Sequence, residues 1–316
     1  MKLKSTIGNN PSLALPLAWH LPRTKKPPSG RLFHLPRRKT LTKANRRKKT
    51  RTIIYVDGYN LYYGRITGTQ YKWLDLPVLF RDILRAQAPL SVITKVKYFT
   101  APALAKFSRR GQVSPEAQTI YHRALESKYQ ANPKFEITLG KHDPKEEYAP
   151  LVLKGENPIK DKRALVWKIV EKKTDVNLAM AMYRDAANGD VDHLVICSND
   201  SDAEPVLEAI RKDFPKLRIG VVTPRRPDDK SQRVVSTSLS RWAHWTRHHI
   251  HDQELEKAQL PVTVQARSGK KAGKVFRKPA HWNPETAEGQ ITLSQRILAW
   301  KRDLLMKVGL WLLKSA

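Results

Sequence analysis

Thr52-Ile53-Ile54-Tyr55-Val56-Asp57-Gly58-Tyr59-Asn60 is the stretch from which the fold can be read. Five β-branched or aromatic residues run straight into an acid and a glycine. A short run of that kind suits a strand buried on both faces of a parallel sheet. Similar runs follow at Lys95–Phe99, Phe135–Leu139, His193–Cys197 and Leu217–Val222. Helical patterns lie between and after them, over Pro77–Ala88, Pro115–Tyr129, Thr174–Ala187 and Glu204–Asp213. Strands alternating with helices of this length predict right-handed βαβ units, and so an α/β three-layer fold around a central parallel sheet. Ser236–His249 reads as a helix closing the domain.

Charge is distributed unevenly around that domain. The 316 residues carry a formal net charge of +30. Residues 1–51 hold 15 Lys and Arg and no acid, and residues 253–316 are net +7, leaving +8 on residues 52–252. A chain of this kind is drawn to polyanions, whether nucleic acid or an anionic membrane surface. Residues 1–50, rich in Pro, Lys and Arg without periodicity, predict a disordered basic extension. A targeting peptide, or an extension foreign to the functional protein, is the alternative. Residues 51–252 form the expected domain. Residues 253–290 read as a basic linker-like tail, most plainly from Gln259 to Trp282. In residues 291–316, Leu293, Ile297, Trp300, Leu304, Val308 and Trp311 recur at helical spacing among Arg296, Lys301, Arg302 and Lys307. That pattern predicts a basic amphipathic helix, suited to docking on the domain, on a membrane surface or on a partner.

A single cysteine, Cys197, excludes an intramolecular disulfide and any cysteine-based zinc cluster, and fits a reducing compartment. No apolar run approaches the ~20 residues of a membrane-spanning helix. Leu13–Trp19 is short, broken by Pro16 and lacks a cleavage site, so no signal peptide is read and a cytoplasmic location is expected.

The chemistry is expected at the carboxyl ends of the strands, where open parallel sheets bind ligands. Asp57 stands on the lip of the first strand. Ser198-Asn199-Asp200-Ser201-Asp202 follows the strand ending at Cys197, and Lys173-Thr174-Asp175 opens a helix that Thr174 could cap. Close carboxylates repel and raise one another's pKa, so the arrangement calls for a cation. Hard oxygen donors suit Mg²⁺ or Mn²⁺, which support phosphodiester hydrolysis. Gly58 allows a tight turn and the approach of a bulky phosphate. Each acid alone also fits a turn or a cap; Asp200 or Asp202 could simply cap the helix beginning near Ala203.

Three blocks, Val56-Asp57-Gly58-Tyr59-Asn60-Leu61-Tyr62-Tyr63-Gly64, Lys172-Lys173-Thr174-Asp175-Val176-Asn177-Leu178-Ala179 and Cys197-Ser198-Asn199-Asp200-Ser201-Asp202, resemble the signature motifs of NYN domains, relatives of PIN-domain nucleases. The resemblance covers roughly residues 50–250. It implies a PIN-like sheet and a divalent-metal endoribonuclease acting on RNA. Asp57, Asp175, Asp200 and Asp202 would then ligate metal directly or through water, Asn60 would orient a water or phosphate, and Ser198 would support the loop. Two positions depart from the pattern: Ala181 replaces a further Asp within the helix, and Asn199 a Gly.

Some sequences that this chain resembles are described as 6-hydroxy-3-succinoylpyridine hydroxylases, NADH-dependent monooxygenases of nicotine breakdown. The residues give that alternative little support. No G-x-G-x-x-G follows the first strand, no flavin fingerprint is evident, and an acidic rim repels a pyrophosphate. An iron site using a carboxylate and the imidazoles of Arg247-His248-His249-Ile250-His251 is a further option. A noncatalytic RNA-binding protein with a degenerate site is a third.

On the substrate side, Tyr59, Tyr62, Tyr63 and Trp73 are candidates to stack unpaired bases, or else to pack the helix after the strand. Arg225 and Arg226 of Pro224-Arg225-Arg226-Pro227 form a candidate phosphate clamp, or a solvated basic loop. Lys172 and Lys173 stand where they could balance the acids; Lys141 and His142 are weaker candidates of the same sort.

Overall fold

The computed structural model describes residues 48–151, 161–227, 237–266 and 272–282. The expected disordered extension at residues 1–50, but for its last three residues, and the expected amphipathic helix at 291–316 lie outside them. The element order is β1 (Thr50–Asp57), α1 (Gly58–Leu61), α2 (Leu76–Gln87), β2 (Ser91–Thr100), α3 (Val113–Lys128), β3 (Lys134–Leu139), β4 (Lys141–Pro150), β5 (Arg163–Lys172), α4 (Thr174–Asn188), β6 (His193–Cys197), α5 (Glu204–Asp213), β7 (Arg218–Val222), α6 (Thr237–Trp242), β8 (Trp245–Arg247), α7 (Asp252–Lys257), β9 (Thr263–Gln265) and β10 (Val275–Arg277).

Six strands form one parallel sheet in the order β3-β2-β1-β6-β7-β8. The chain builds outward from β1 to β3 on one side and from β6 to β8 on the other. Between β1 and β6 the winding reverses, and such a switch point opens a crevice at the carboxyl ends of the strands. Val56 pairs with Cys197, so Asp57 and Ser198 leave the sheet side by side.

Alternation along β1 explains the three layers. Ile54 and Val56 face a core closed by Leu76, Leu79, Phe80 and Ile83 of α2 and by Tyr121, Ala124 and Leu125 of α3. Ile53 and Tyr55 face the opposite core, closed by Leu178 and Met182 of α4 and Leu207 and Ile210 of α5. Asp75 caps α2 by accepting from the Val78 amide and takes further bonds from Lys128 Nζ at 2.5 Å and Tyr129 Oη at 2.6 Å. That satisfies a carboxylate with almost no solvent contact.

Two expectations need correction, and one element was not foreseen. The closing helix holds only over Thr237–Trp242; Trp245–Arg247 instead adds the sixth strand. Its reason is local. Gly220 of β7 has no side chain, and the Trp245 ring occupies the space a Cβ would take. The stretch Gln259–Trp282 is not a free linker. Leu260 and Val264 are buried in the α2–α3 core, β9 and β10 pair antiparallel, and Trp282 packs against Trp73 and Tyr121. The unforeseen element is a ten-pair antiparallel arm formed by β4 and β5. Its β4 sequence, Lys141-His142-Asp143-Pro144-Lys145-Glu146-Glu147-Tyr148-Ala149-Pro150, carries two prolines and three acids, a composition poor in intrinsic strand preference.

Candidate functional site

Asp57 is buried at the switch point, 3% exposed. It caps α1, and its Oδ1 accepts the Asn60 amide at 2.9 Å. Its Oδ2 accepts from Asn60 Nδ2 at 2.6 Å and from Ser198 Oγ at 2.9 Å. The last bond crosses from β1 to β6 and joins the first and third sequence blocks. Burial pushes the Asp57 carboxyl up; the bonds from Asn60 and Ser198 pull against that, and Asp200 adds to the rise. Gly58 has a different use from the one expected. A Cβ there would lie 2.6 Å from the Tyr98 ring and 2.8 Å from the Phe99 carbonyl, so the glycine admits β2 to the turn.

Ser198 is also buried, and its Oγ accepts the Asp200 amide at 3.0 Å. Asp200 caps the short turn Ser201–Ala203 and accepts the Asp202 amide at 3.1 Å. The helix α5 expected to be capped by Asp200 or Asp202 instead has Ala203 at its cap position, with no side-chain bond.

Asp175 opens α4. Thr174 does not cap that helix. Lys173 does, in the left-handed conformation at φ 76°, because β5 must turn sharply to enter α4. Thr174 instead donates to Glu171 Oε1 at 2.5 Å. Partial burial raises the Asp175 carboxyl, and Asp57, Asp200 and Asp202 raise it further. Beneath the rim, Tyr55 Oη donates to Asp185 at 2.6 Å and Lys97 Nζ pairs with the same carboxylate at 2.6 Å. These contacts hold α4, which carries Asp175, against β1, which carries Asp57.

The acids thus share one electrostatic neighbourhood. Among the described residues, however, no three Asp, Glu, His or Cys side chains are drawn together tightly enough to clasp an ion. The physical cause is visible in the bonds above. Asp57 turns to Asn60 and Ser198, Asp200 turns to its own loop, and like charges keep their distance.

Glu171 escaped the sequence reading. It stands at the end of β5 with its carboxyl raised by burial and, further, by Asp175. Its only signal was its place four residues before Asp175. Gly140 brings the arm to this point, since a Cβ there would collide with Thr174 Oγ1 and lie 2.7 Å from the Lys172 carbonyl.

The other candidates separate. Tyr59 lies beside the acids, its ring 4.7 Å from Tyr63 and 5.7 Å from His142. Tyr62 and Tyr63 are exposed. Trp73 is not a stacking candidate, being wholly buried with Nε1 donating to the Pro261 carbonyl at 2.7 Å. Arg226 Nη2 donates to the Thr67 carbonyl at 3.1 Å, so the Arg225-Arg226 loop abuts the turn after the first block. Lys173 is exposed at the rim, whereas Lys172 pairs with Asp143 of the arm at 2.5 Å. His251 caps α7 in a reciprocal arrangement with Glu254, a structural role. Ala181 packs against the α4–α5 core.

The family model described as "NYN domain" matches residues 51–238. A 6-hydroxy-3-succinoylpyridine 3-monooxygenase, HspA, of Pseudomonas putida is 37% identical over 267 residues, covering 78% of each chain. A crystal structure of a protein of unknown function from Vibrio parahaemolyticus aligns with a TM-score of 0.37 and 18% identity, over 65% of this chain and 96% of that one. No helix among the described residues is long and apolar enough to cross a membrane.

Proposed function

The chain belongs to the NYN domain family, and on that premise we propose that it is a metal-dependent endoribonuclease. The observation that supports this reading is the shared electrostatic neighbourhood of Asp57, Asp175, Asp200 and Asp202, in which Asp57 is pushed up in part by Asp200 and Asp175 in part by the other three. A nucleic-acid substrate fits the net charge of +30 and the Arg225-Arg226 loop on the same rim.

The donor set fits a hard cation such as Mg²⁺ or Mn²⁺. It is entirely oxygen, and its mutual repulsion is relieved by positive charge. A carboxylate offers about four lone-pair directions. Asp57 uses three on Asn60 and Ser198, which leaves one for an ion. The spread of the other acids suits an ion that keeps much of its water. When bound, such an ion supplies Lewis acidity for attack of water on phosphorus and screens the departing oxygen. The protein's own residues do the rest. Asn60 and Ser198 favour the ionised form of Asp57 and fix its position, Asp175, Asp200 and Asp202 confine the positive charge to the crevice, and Tyr59 and Tyr63 offer ring faces to an unpaired base. Lys173, Arg225 and Arg226 engage backbone phosphates.

The test is incubation of the purified chain with labelled single-stranded RNA in EDTA, Mg²⁺ and Mn²⁺, beside Asp57→Asn. Metal-dependent cleavage that disappears in the variant supports the reading. Cleavage retained by the variant removes the acids from the mechanism, and no cleavage in any metal removes the nuclease.

A second reading rests on the Pseudomonas putida relative's name, which makes hydroxypyridine hydroxylation a candidate activity. Substrate-dependent NADH oxidation by the purified chain, with a flavin or iron absorbance band, would establish it in place of the first.

A further inference from the structure

We propose that His142 is the general acid of the cleavage step, handing a proton from Nε2 to the oxygen that leaves phosphorus, with Glu171 as its positioning residue. The inference rests on the nuclease reading above. His142 of β4 lies opposite Glu171 of β5 in the register, and directly opposed residues share a face. Tight contacts at the root of the arm fix their place. The Gly140 amide donates to the Thr100 carbonyl at 2.8 Å, and Gly140 has no room for a side chain. Gln118 grips the loop after β2 from both sides, its Oε1 accepting the Ala103 amide at 2.7 Å and its Nε2 donating to the Ala101 carbonyl at 3.0 Å.

That grip sets the Pro102 carbonyl, which lies 2.9 Å from His142 Nδ1. A carbonyl only accepts, so Nδ1 carries the hydrogen and Nε2 is the nitrogen that can release one. Nε2 is enclosed, and among the described residues it has no hydrogen-bond partner. A buried polar atom left unpaired costs free energy, and a catalytic task is one reason to keep it so. Glu171 supplies the charge beside it. Thr174 Oγ1 donates to its Oε1 at 2.5 Å. Burial raises the Glu171 carboxyl, the Thr174 bond and His142 pull against that, and Asp175 adds to the rise. The attraction to His142 is mutual, so a carboxylate faces the ring when it is cationic.

The sheet order puts this pair where a departing oxygen belongs. β2 and β6 flank β1 on opposite sides. His142, tied to the loop after β2, and Asp200 and Asp202, which follow β6, therefore stand to either side of Asp57. An in-line displacement uses that separation, since the entering and departing oxygens occupy opposite sides of phosphorus. The Tyr59 ring lies 5.7 Å from the imidazole. A base stacking on Tyr59 turns that ring and brings the adjoining phosphate to Nε2. In the step, the oxygen of water bonds to phosphorus and its proton passes to solvent. The ester P–O bond breaks, and the departing oxygen takes the Nε2 proton, which solvent later replaces.

RNA with sulfur in place of one bridging oxygen, at the 3′ or the 5′ side of a phosphate, tests this in Mn²⁺, because a thiolate departs without a proton. His142→Gln is expected to slow cleavage of ordinary RNA by ~10²-fold or more and to cleave one of the two sulfur substrates at nearly the wild-type rate. Glu171→Gln, which keeps an acceptor for Thr174, shows the same selectivity more weakly and adds nothing once His142 is replaced. Oxygen and sulfur slowed alike, in variants that melt like the wild type, overturns the proposal. So does a metal-free chain whose ¹⁵N spectrum places the hydrogen of neutral His142 on Nε2 instead of Nδ1. A wild-type chain that cleaves no substrate removes the nuclease reading and this step with it, whereas wild-type cleavage indifferent to His142→Gln removes this step alone.

Discussion

The two ends of β1 and β6 treat the same kind of residue in opposite ways. At the amino end, Asp192 accepts from the Arg51 backbone amide and guanidinium at 2.9 Å, and its carboxyl is held down to about 2, chiefly by Arg51. Beside it, buried His193 accepts the Trp245 indole N–H at Nε2 and lies 3.0 Å from Ser91 Oγ through Nδ1. At the carboxyl end, six residues along β1, Asp57 is pushed up by burial and by Asp200, and Asp175 of α4 is pushed up by burial and by Asp57, Asp200 and Asp202. One end is arranged to lower free energy. The other keeps acids in mutual opposition, and folds that tolerate such conflict commonly do so where chemistry occurs.

Substitutions should separate the two ends cleanly. The largest effect belongs to the carboxyl end. Asp57→Asn is expected to lower metal-dependent RNA cleavage by ~10³-fold or more, with only a modest loss of thermal stability, since relief of a repelled charge partly offsets the weakened bonds from Asn60 and Ser198. Parallel cleavage assays and melting curves would break the contrast if both fell together.

Next comes pH. The imidazole of His193 is lowered to about 4 by burial and then by Arg218 and His244, against 6.5 in an unfolded chain. Burial lowers His122 to about 4 as well. As pH falls from 6.5 towards 4 the unfolded chain takes up protons that these buried rings refuse, so stability present at neutral pH is lost across that window. Each tenfold loss of proton affinity on folding corresponds to about 1.4 kcal/mol, so His193 accounts for up to roughly 3 kcal/mol. Urea unfolding across the window should show this slope, and His193→Asn should flatten it.

Smaller still is Arg51→Ala, a largely exposed pair. It should lower Tm by only ~2 °C and leave cleavage unchanged. Loss of activity there would mean the two ends are coupled through the strands. An effect of similar size and opposite sign is expected at the rim. Lys173 sits at φ 76°, a region that glycine enters freely, so Lys173→Gly should raise stability by about 0.5–1 kcal/mol. Chemical denaturation measures this, and a loss instead would mean that the lysine side chain is held by its surroundings.

The sheet was legible because burial on both faces leaves a compositional trace. Ile53 to Val56, Val96 to Phe99 and Leu194 to Cys197 are apolar or aromatic because helices cover them from both sides, save that Lys97 reaches Asp185. The acids were legible because a strand end fixes where its next residue goes. β4 was not, since its prolines and acids mask the strand, and without that partner the apolar run Leu165–Val170 of β5 had nothing to pair with. Glu171 was missed for the same reason, as the turn that brings it to Asp175 belongs to the arm. Trp245 looked helical because its partner, Gly220, lies far off in sequence and leaves no periodic mark.

The bond from Ser198 to Asp57 also spans 141 residues of chain. While the protein is being synthesised, β1, β2 and β3 can associate early, all being complete by Leu139. β6 must enter between β1 and the still later β7, and long-range pairings of this sort form late. Until then Asp57 lacks the hydroxyl that fixes it, and Asp200 and Asp202 have not taken their places. The rim is therefore assembled only once the middle of the sheet closes, and on the proposed reading a nascent chain stays inert towards the transcript that encodes it until then.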